Sequence, residues 1–464
     1  MADPQPTRAL ASFAAHFDPV TIPAAVRQKL GWLLLDYLRV CSIGARLPWG
    51  GWARAYVKSV GAAGTSHALF SSDTYNPQHA TFLNVAFGSS FDGDDTHVGA
   101  MLHPGVAVWS AALAVAQHTG ASGKDVLAAV VAGYESIIRI GLSVQPHHFR
   151  RGFQSTGTCD VFGTAVVAGR LLFQGKDAEL KIAQGMGLAG GYSSGIAQFY
   201  YSGASAKRIQ AAHAAQSGVA AALLTQFGFC GPIDILEGAG GFARAYAGEW
   251  NPAVIEDGLG TQFHLSDVLV KSHAAAARVA AGIDAMLALR KSHGFSTTDI
   301  ARMHLGIPRI IQGRLTNPHP VDLQAAQMCL PFSVALASKV TLAAGSVPSI
   351  TVADYEAGLA DRNLFELEER TTLTIDDEVE SASNELSTAA RVSVRLHDGR
   401  NLSLLIQAPK GSSANPFAAE EHEARFAQEL TECLPNSVVS GIVNMSKDLD
   451  GLDARWLGQA LSVA

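Results

Sequence analysis

The sequence is poor in the residues that build covalent or metal frameworks. Its five cysteines, Cys41, Cys159, Cys230, Cys329 and Cys433, are odd in number and scattered, and no two stand in a CxxC spacing. That argues against a disulfide scaffold and a structural zinc site, and predicts buried, reduced thiols. Charge is scarce too: 16% of the 464 residues are Asp, Glu, Lys or Arg, and the formal net charge is -7. With no basic stripe to neutralise phosphates, the composition speaks against nucleic acid as a partner. It speaks against a membrane as well, because the most apolar early run, GWLLLDYLRV, is interrupted by Asp36 and Arg39 and is far shorter than the roughly 20 residues a span requires. The opening MADPQPTRALASFAAHFDP has neither an apolar signal core nor an Arg-rich transit helix, so a cytoplasmic location is expected. Aromatic residues are few, whereas alanine and the 45 glycines are abundant. Such a composition suits closely packed helices with small side chains at their contacts.

From about residue 20 to about residue 250, apolar residues recur at helical spacing between short Gly, Pro and Ser punctuation. In TIPAAVRQKLGWLLLDYLRV, Thr21 is placed to cap a helix, Pro23 falls in its first turn, and Leu30, Leu33, Leu34, Tyr37 and Leu38 form one stripe. In SGKDVLAAVVAGYESIIRI, Ser122 and Asp125 stand at capping spacing ahead of Val126, Val130, Tyr134 and Ile138. After Phe263 the pattern changes. DIARMHLGIPR alternates like a strand, and VSVRLHDGRNLSLLI reads as two strands joined by a turn at Asp398 and Gly399. AAAARVAAGIDAMLALRKS and PFSVALASKVTLAAG read as helices between them, and the tail returns to helix with Asn415 as cap and Pro416 at the first position. The predicted architecture is mainly α. A large all-helical domain over residues 1–265, completed by the C-terminal helices of 409–464, carries a smaller α+β lid domain over 266–408.

The densest chemistry lies in FDGDDTHVGAMLHPG, residues 91–105, with three aspartates, a threonine and two histidines. Asp92, Asp95 and Thr96 are spaced i, i+3, i+4 and would share one face of a helix. His103 precedes Pro104, which disfavours helix at the histidine and suits the first position of a following helix. The partial positive charge at that helix end opposes an imidazolium and leaves a neutral ring able to take a proton. A plainer reading has Asp94, Asp95 and Thr96 capping helices and His97 facing solvent; the grouping argues for more. No second Asp/His cluster completes a divalent site, so no metal is expected.

A second stretch, SGASAKRIQAAHAAQSG, residues 202–218, breaks a local rule. With Ser205 in the capping position, Lys207 and Arg208 fall in the first turn, where cations oppose the helix dipole. Free amides and an ammonium there would receive a carboxylate or phosphate, against the alternative of two solvated basic side chains. His213 reads as a packed histidine. The glycine clusters GMGLAGGYSSG and LEGAGGF lack the GK[ST] ending of a phosphate loop and follow no predicted strand, so they read as helix packing and turns.

Taken in order, FDGDDTHVGAMLHPG, ASGKDVLAAVVAGYESIIRIG, GFQSTGTCDVFGTAVVAGRLL, SGASAKRIQAAHAAQSGVAAALL, GFCGPIDILEGAGGF and IDAMLALR resemble the 2-methylcitrate dehydratase (MmgE/PrpD) family, over about residues 20 to 410. The resemblance implies a mostly helical homodimeric enzyme with an α+β lid over its cleft, a small di- or tricarboxylate substrate and no cofactor. Members dehydrate 2-methylcitrate, decarboxylate cis-aconitate or epimerise iminodisuccinate, and share the movement of a proton at a carbon beside a carboxylate. The family's active-site positions fall on Asp92, Asp95, Thr96, His103 and Lys207.

Three positions depart from the family pattern: Gln154 stands at a usual histidine, Ala276 where a histidine or cysteine often follows Lys271, and Phe332 at a frequent tyrosine. Each change removes a proton carrier. Dehydration must protonate a departing hydroxide and decarboxylation the carbon that loses carbon dioxide, whereas epimerisation only removes and returns a proton. The expected activity is therefore an isomerase, an epimerase of the iminodisuccinate type. The alternatives are a dehydratase or decarboxylase lyase, or a catalytically silent carboxylate-binding paralogue. In the expected site His103 is the base, supported by Asp92 or Asp95, and Thr96 donates a hydrogen bond. Lys207 and Arg208 hold carboxylates, Lys271 or His273 is the second proton carrier, and Gln154 and His97 stand against the substrate.

Overall fold

The computed structural model describes residues 4–202, 204–341 and 347–462. Its centre is a stack of helices, Pro104–Thr119, Gly123–Val144 and Ser155–Leu172, buried on nearly every face. A helix apolar all round belongs inside, and these three form the middle layer. Gly123–Val144, read above as a capped helix, is long and apolar enough to cross a bilayer, but 94% of its apolar window is buried in this fold. Ser122 caps it by accepting a hydrogen bond from the Asp125 amide, as the spacing predicts. A Cβ on Gly163 would lie 2.1 Å from Ile137 Cγ1, so the helix Ser155–Leu172 approaches Gly123–Val144 this closely only with glycine there.

Around this layer lie the helices Ala24–Arg46, Pro77–Gly88, Ala178–Gly190 and Ala206–Gln226. The stripe of Leu30, Leu34 and Leu38 is fully buried. Its helix starts after Pro23 rather than at Thr21, because Asp18 caps a separate short turn over Pro19–Thr21. This region is not wholly helical, since β1 (Ser66–His67) and β2 (Thr74–Tyr75) form a small hairpin.

The second region is built on a four-stranded sheet in the order β4-β3-β5-β6, with β3 Ile300–Ile307, β4 Thr371–Ile375, β5 Ala390–Leu396 and β6 Asn401–Ile406. β3 and β4 run parallel and the other pairs antiparallel. Gly399, at φ 91, makes the predicted turn between β5 and β6. Ala390, Val392, Val394 and Leu396 alternate inward on β5, on the strands against which the helix Ala280–His293 packs. The helix read in PFSVALASKVTLAAG runs Leu330–Ala337, and its residues 342–345 lie outside the described residues.

The tail helix begins at Ala419, later than Asn415 and Pro416 suggested, because Asn415 closes a tight turn with Ser412. Helices Ala419–Leu430 and Asn436–Lys447 pack on Ala24–Arg46, and Ala454–Ala460 on Pro104–Thr119. The first and last described helices, Pro6–His16 and Ala454–Ala460, thus both pack on the helical part. The link to the sheet part is pinned by Arg139, fully buried, which pairs with Glu135 at 2.9 Å and donates to the carbonyls of Val254, Ile255, Asp257 and Gln262. Cys41, Cys159 and Cys329 are buried free thiols, but Cys230 is exposed, in the loop after the helix Ala206–Gln226.

Candidate active site

The segment 89–103 is not a helix. It runs as turns and isolated bridges between two helices, with Asp92 at φ 59 and Met101 at φ 57. Backbone pairing replaces the helical bonds: the Thr96 and Leu269 amides each donate to the other's carbonyl, at 2.9 and 2.8 Å. The two aspartates therefore point to different partners instead of sharing a face.

Asp92 faces two ammonium groups. Its Oδ1 accepts from Lys207 Nζ and from Lys271 Nζ, each at 2.6 Å, and its carbonyl accepts from Lys271 at 2.9 Å. Burial pushes its carboxyl upward, but the two lysines and His103 outweigh burial and hold it far below the usual carboxylate range. Asp94 lies 3.7 Å from Lys271 Nζ. Asp95 turns the other way, accepting from the Gly105 amide at 2.9 Å and the Tyr134 hydroxyl at 3.0 Å. Burial raises its carboxyl to about 7, against the hydrogen bond from Gly105.

His103 is the residue before the helix Pro104–Thr119, as its proline neighbour predicts. Its Nδ1 lies 2.9 Å from the Asp95 carbonyl and 2.9 Å from Thr96 Oγ1, and its backbone amide donates to Thr156 Oγ1. A carbonyl only accepts, so Nδ1 carries the proton and Nε2 carries the lone pair. Support for the ring thus comes from a backbone carbonyl and Thr96, not from either carboxylate. Burial pushes its pKa down to about 4; Asp94 opposes this, and Lys271 and Lys207 add to it.

His103, Thr96, Asp92 and Lys207 line one cavity. Three further polar side chains line it that the sequence reading missed: Tyr200, Arg278 and Arg314. Each is a lone residue in unremarkable sequence; Tyr200 comes from the short helix Phe199–Ser202 of the helical part, and Arg278 and Arg314 from the region that carries the sheet. Burial, with Asp92 adding, raises the Tyr200 phenol to about 12, so it stays protonated.

The sequence model of the MmgE/PrpD N-terminal domain matches residues 8–254, and that of the MmgE/PrpD C-terminal domain matches residues 273–450. The chain belongs to the MmgE/PrpD family. It is 24% identical over 468 residues to a cis-aconitate decarboxylase-like protein, oryM, of Aspergillus oryzae, covering 96% of this chain and 94% of that protein. It is likewise 24% identical over 431 residues to the cis-aconitate decarboxylase of Aspergillus terreus, covering 87% of this chain and 85% of that protein.

Of the three positions where this MmgE/PrpD chain departs from the family pattern, one faces the cavity. Ala276 lines it with a methyl group. Gln154 instead caps the helix Ser155–Leu172, its side-chain oxygen accepting from the Gly157 amide. Phe332 is buried against Phe365, with ring centroids 5.3 Å apart. Other expected site residues are also engaged elsewhere. Arg208 stacks on Trp49 at 4.0 Å and donates to the Ser90 carbonyl, so no carboxylate clamp forms there. Lys271 reaches Asp92 from behind and is not among the cavity-lining residues. His273 has both ring nitrogens occupied, Nε2 by Asp284 at 2.9 Å and Nδ1 by the Ile350 amide at 3.1 Å. His213 is exposed rather than packed.

His97, too, lies outside the cavity lining, buried rather than facing solvent. Among the described residues its ring joins His264 and Asp267 in a group whose candidate ligand atoms lie within 4.8 Å of one another. A metal does not fit them well. His97 Nδ1 accepts from the Ala100 amide at 3.1 Å, which puts the neutral ring's proton on Nε2 and leaves no lone pair to bind a cation.

Proposed function

We propose that this chain is a cofactor-free enzyme that takes a proton from a carbon beside a carboxylate of a small substrate, with His103 as the base. One observation carries the reading: a neutral imidazole, its Nδ1 proton held by a carbonyl, lines a cavity with Lys207, Arg278 and Arg314. In this mechanism the C–H bond breaks toward His103 Nε2, and the electron pair moves into the neighbouring carboxylate, which the cations stabilise. Tyr200, protonated, returns a proton to the same carbon, and solvent resets both groups. Asp92 holds Lys207 in place, and Thr96 fixes the imidazole.

Within this class the finer reading is an epimerase of the iminodisuccinate type. Ala276 supports it, because a methyl group replaces a proton carrier at the cavity wall and epimerisation needs the smaller set of such groups. The second reading is a lyase, supported by the decarboxylase names of the two fungal relatives and by the extra donor that Tyr200 offers. Proton NMR of candidate carboxylic acids with the enzyme in heavy water separates them. Loss of one α-proton signal with no new product points to epimerisation, and new vinylic signals point to a lyase. In His103→Ala, exchange at the α-position is expected to disappear. Exchange at the wild-type rate in that variant rejects the role of His103.

A further inference from the structure

Among the described residues, two guanidinium groups in the cavity pair with no carboxylate. Arg278 donates to Thr388 Oγ1 at 2.8 Å and to the Val98 carbonyl at 2.9 Å, both neutral. Arg314 lies 3.9 Å over the Phe149 ring and donates to the Phe149 carbonyl at 3.4 Å. Both sit in partly buried positions and line the same cavity as His103. A partly desolvated guanidinium bonded only to neutral oxygens and a ring still has strong donors to offer an anion, and its planar fork matches a carboxylate.

The charge around the cavity is also informative. Of its described lining side chains Lys207, Arg278 and Arg314 are cationic and Asp92 is the carboxylate. Behind them Lys271 and Asp94 offset each other. The lining therefore carries two uncompensated positive charges. They come from both sides of the seam, with Lys207 on the helix Ala206–Gln226 and the two arginines on the region that carries the sheet.

We infer that Arg278 and Arg314 form a carboxylate clamp opposite Lys207, and that the cavity is built for a small dicarboxylate dianion rather than a tricarboxylate. The inference rests on the proposed reaction only in sharing its cavity. A third carboxylate would bring one negative charge more than the lining can balance, and would be desolvated without a cationic partner. A dianion placed between the two sides would also hold the seam closed.

Isothermal titration at about pH 8, where the probes are fully ionised, tests it with the unreactive acids succinate and tricarballylate. Succinate is expected to bind wild type and His103→Ala alike, and tricarballylate to bind at least about tenfold more weakly. Arg314→Gln is expected to weaken succinate by roughly ten- to a hundredfold, the loss of one charge-assisted bidentate contact. Arg278→Gln is expected to act in the same direction. If it fails to fold, because Arg278 also ties Thr388 to Val98, Arg314→Gln decides the clamp. Wild-type succinate affinity in a folded Arg314→Gln, equal affinity for the two acids, or no succinate binding by wild type overturns the inference. Persistent deuterium exchange in His103→Ala with the clamp intact would instead remove the proposed role of His103 and leave the clamp standing.

Discussion

At the scale of single residues, the environment of His103 sets a pH dependence. Its ordinary value of 6.5 is lowered to about 4 by burial and by Lys271 and Lys207. The ring is then protonated only below about pH 4, and in the proposed reaction it serves as base above that. The acid limb of kcat/KM is expected near pH 4, and a limb near the ordinary histidine value would contradict a buried neutral base. Lys271→Met removes a cation that disfavours the imidazolium, so the limb should move upward in that variant, which a pH profile reads directly. Residue identity alone could not separate the roles of Asp92 and Asp95. Both are buried carboxylates three positions apart, but one meets two ammonium groups and the other meets an amide and a phenol.

At the scale of elements, the helix Pro104–Thr119 and its neighbour Gly123–Val144 are joined through Asp95, which holds the Gly105 amide with one oxygen and the Tyr134 hydroxyl with the other. A Cβ at Gly105 would lie 2.2 Å from Asp95 Oδ2, so this corner has no room for a side chain. Asp95 is therefore expected to act on structure. Asp95→Ala leaves two buried donors unsatisfied and should cost about 1–3 kcal/mol for each, read from the urea midpoint. Asp95→Asn keeps an acceptor for Gly105 and should retain most of the stability and the α-proton exchange. Near-complete loss of exchange in a folded Asp95→Asn would place the carboxylate in the chemistry instead. The helix starts show the same local logic. Ser122 and His103 stand where capping and proline rules put them, whereas Thr21 falls inside the short turn that Asp18 caps and Asn415 is drawn into a turn with Ser412.

At the scale of the whole molecule, the seam between helices and sheet holds the cavity together. Arg139 contributes through its pair with Glu135 and four carbonyls of the connecting segment. Arg139→Ala would leave Glu135 buried and uncompensated, and should destabilise the protein by about 3–5 kcal/mol in guanidinium unfolding. A loss below about 1 kcal/mol would mean that the connector is held by other contacts. The mainly helical architecture, the β5–β6 hairpin and the place of His103 before its helix were legible in the sequence, because each is set by periodicity, turn chemistry or proline within a few residues. The cavity's second wall was not. Tyr200, Arg278 and Arg314 are separated from His103 by about a hundred residues or more, carry no local pattern, and gain meaning only when the chain folds back. Tertiary packing also overturned the reading of Arg208 and His273, whose side chains are taken by Trp49, Asp284 and the Ile350 amide. Local rules act along the backbone and survive in the one-dimensional record. Which charges are left without partners depends on what else packs beside them, and the tertiary structure alone decided that.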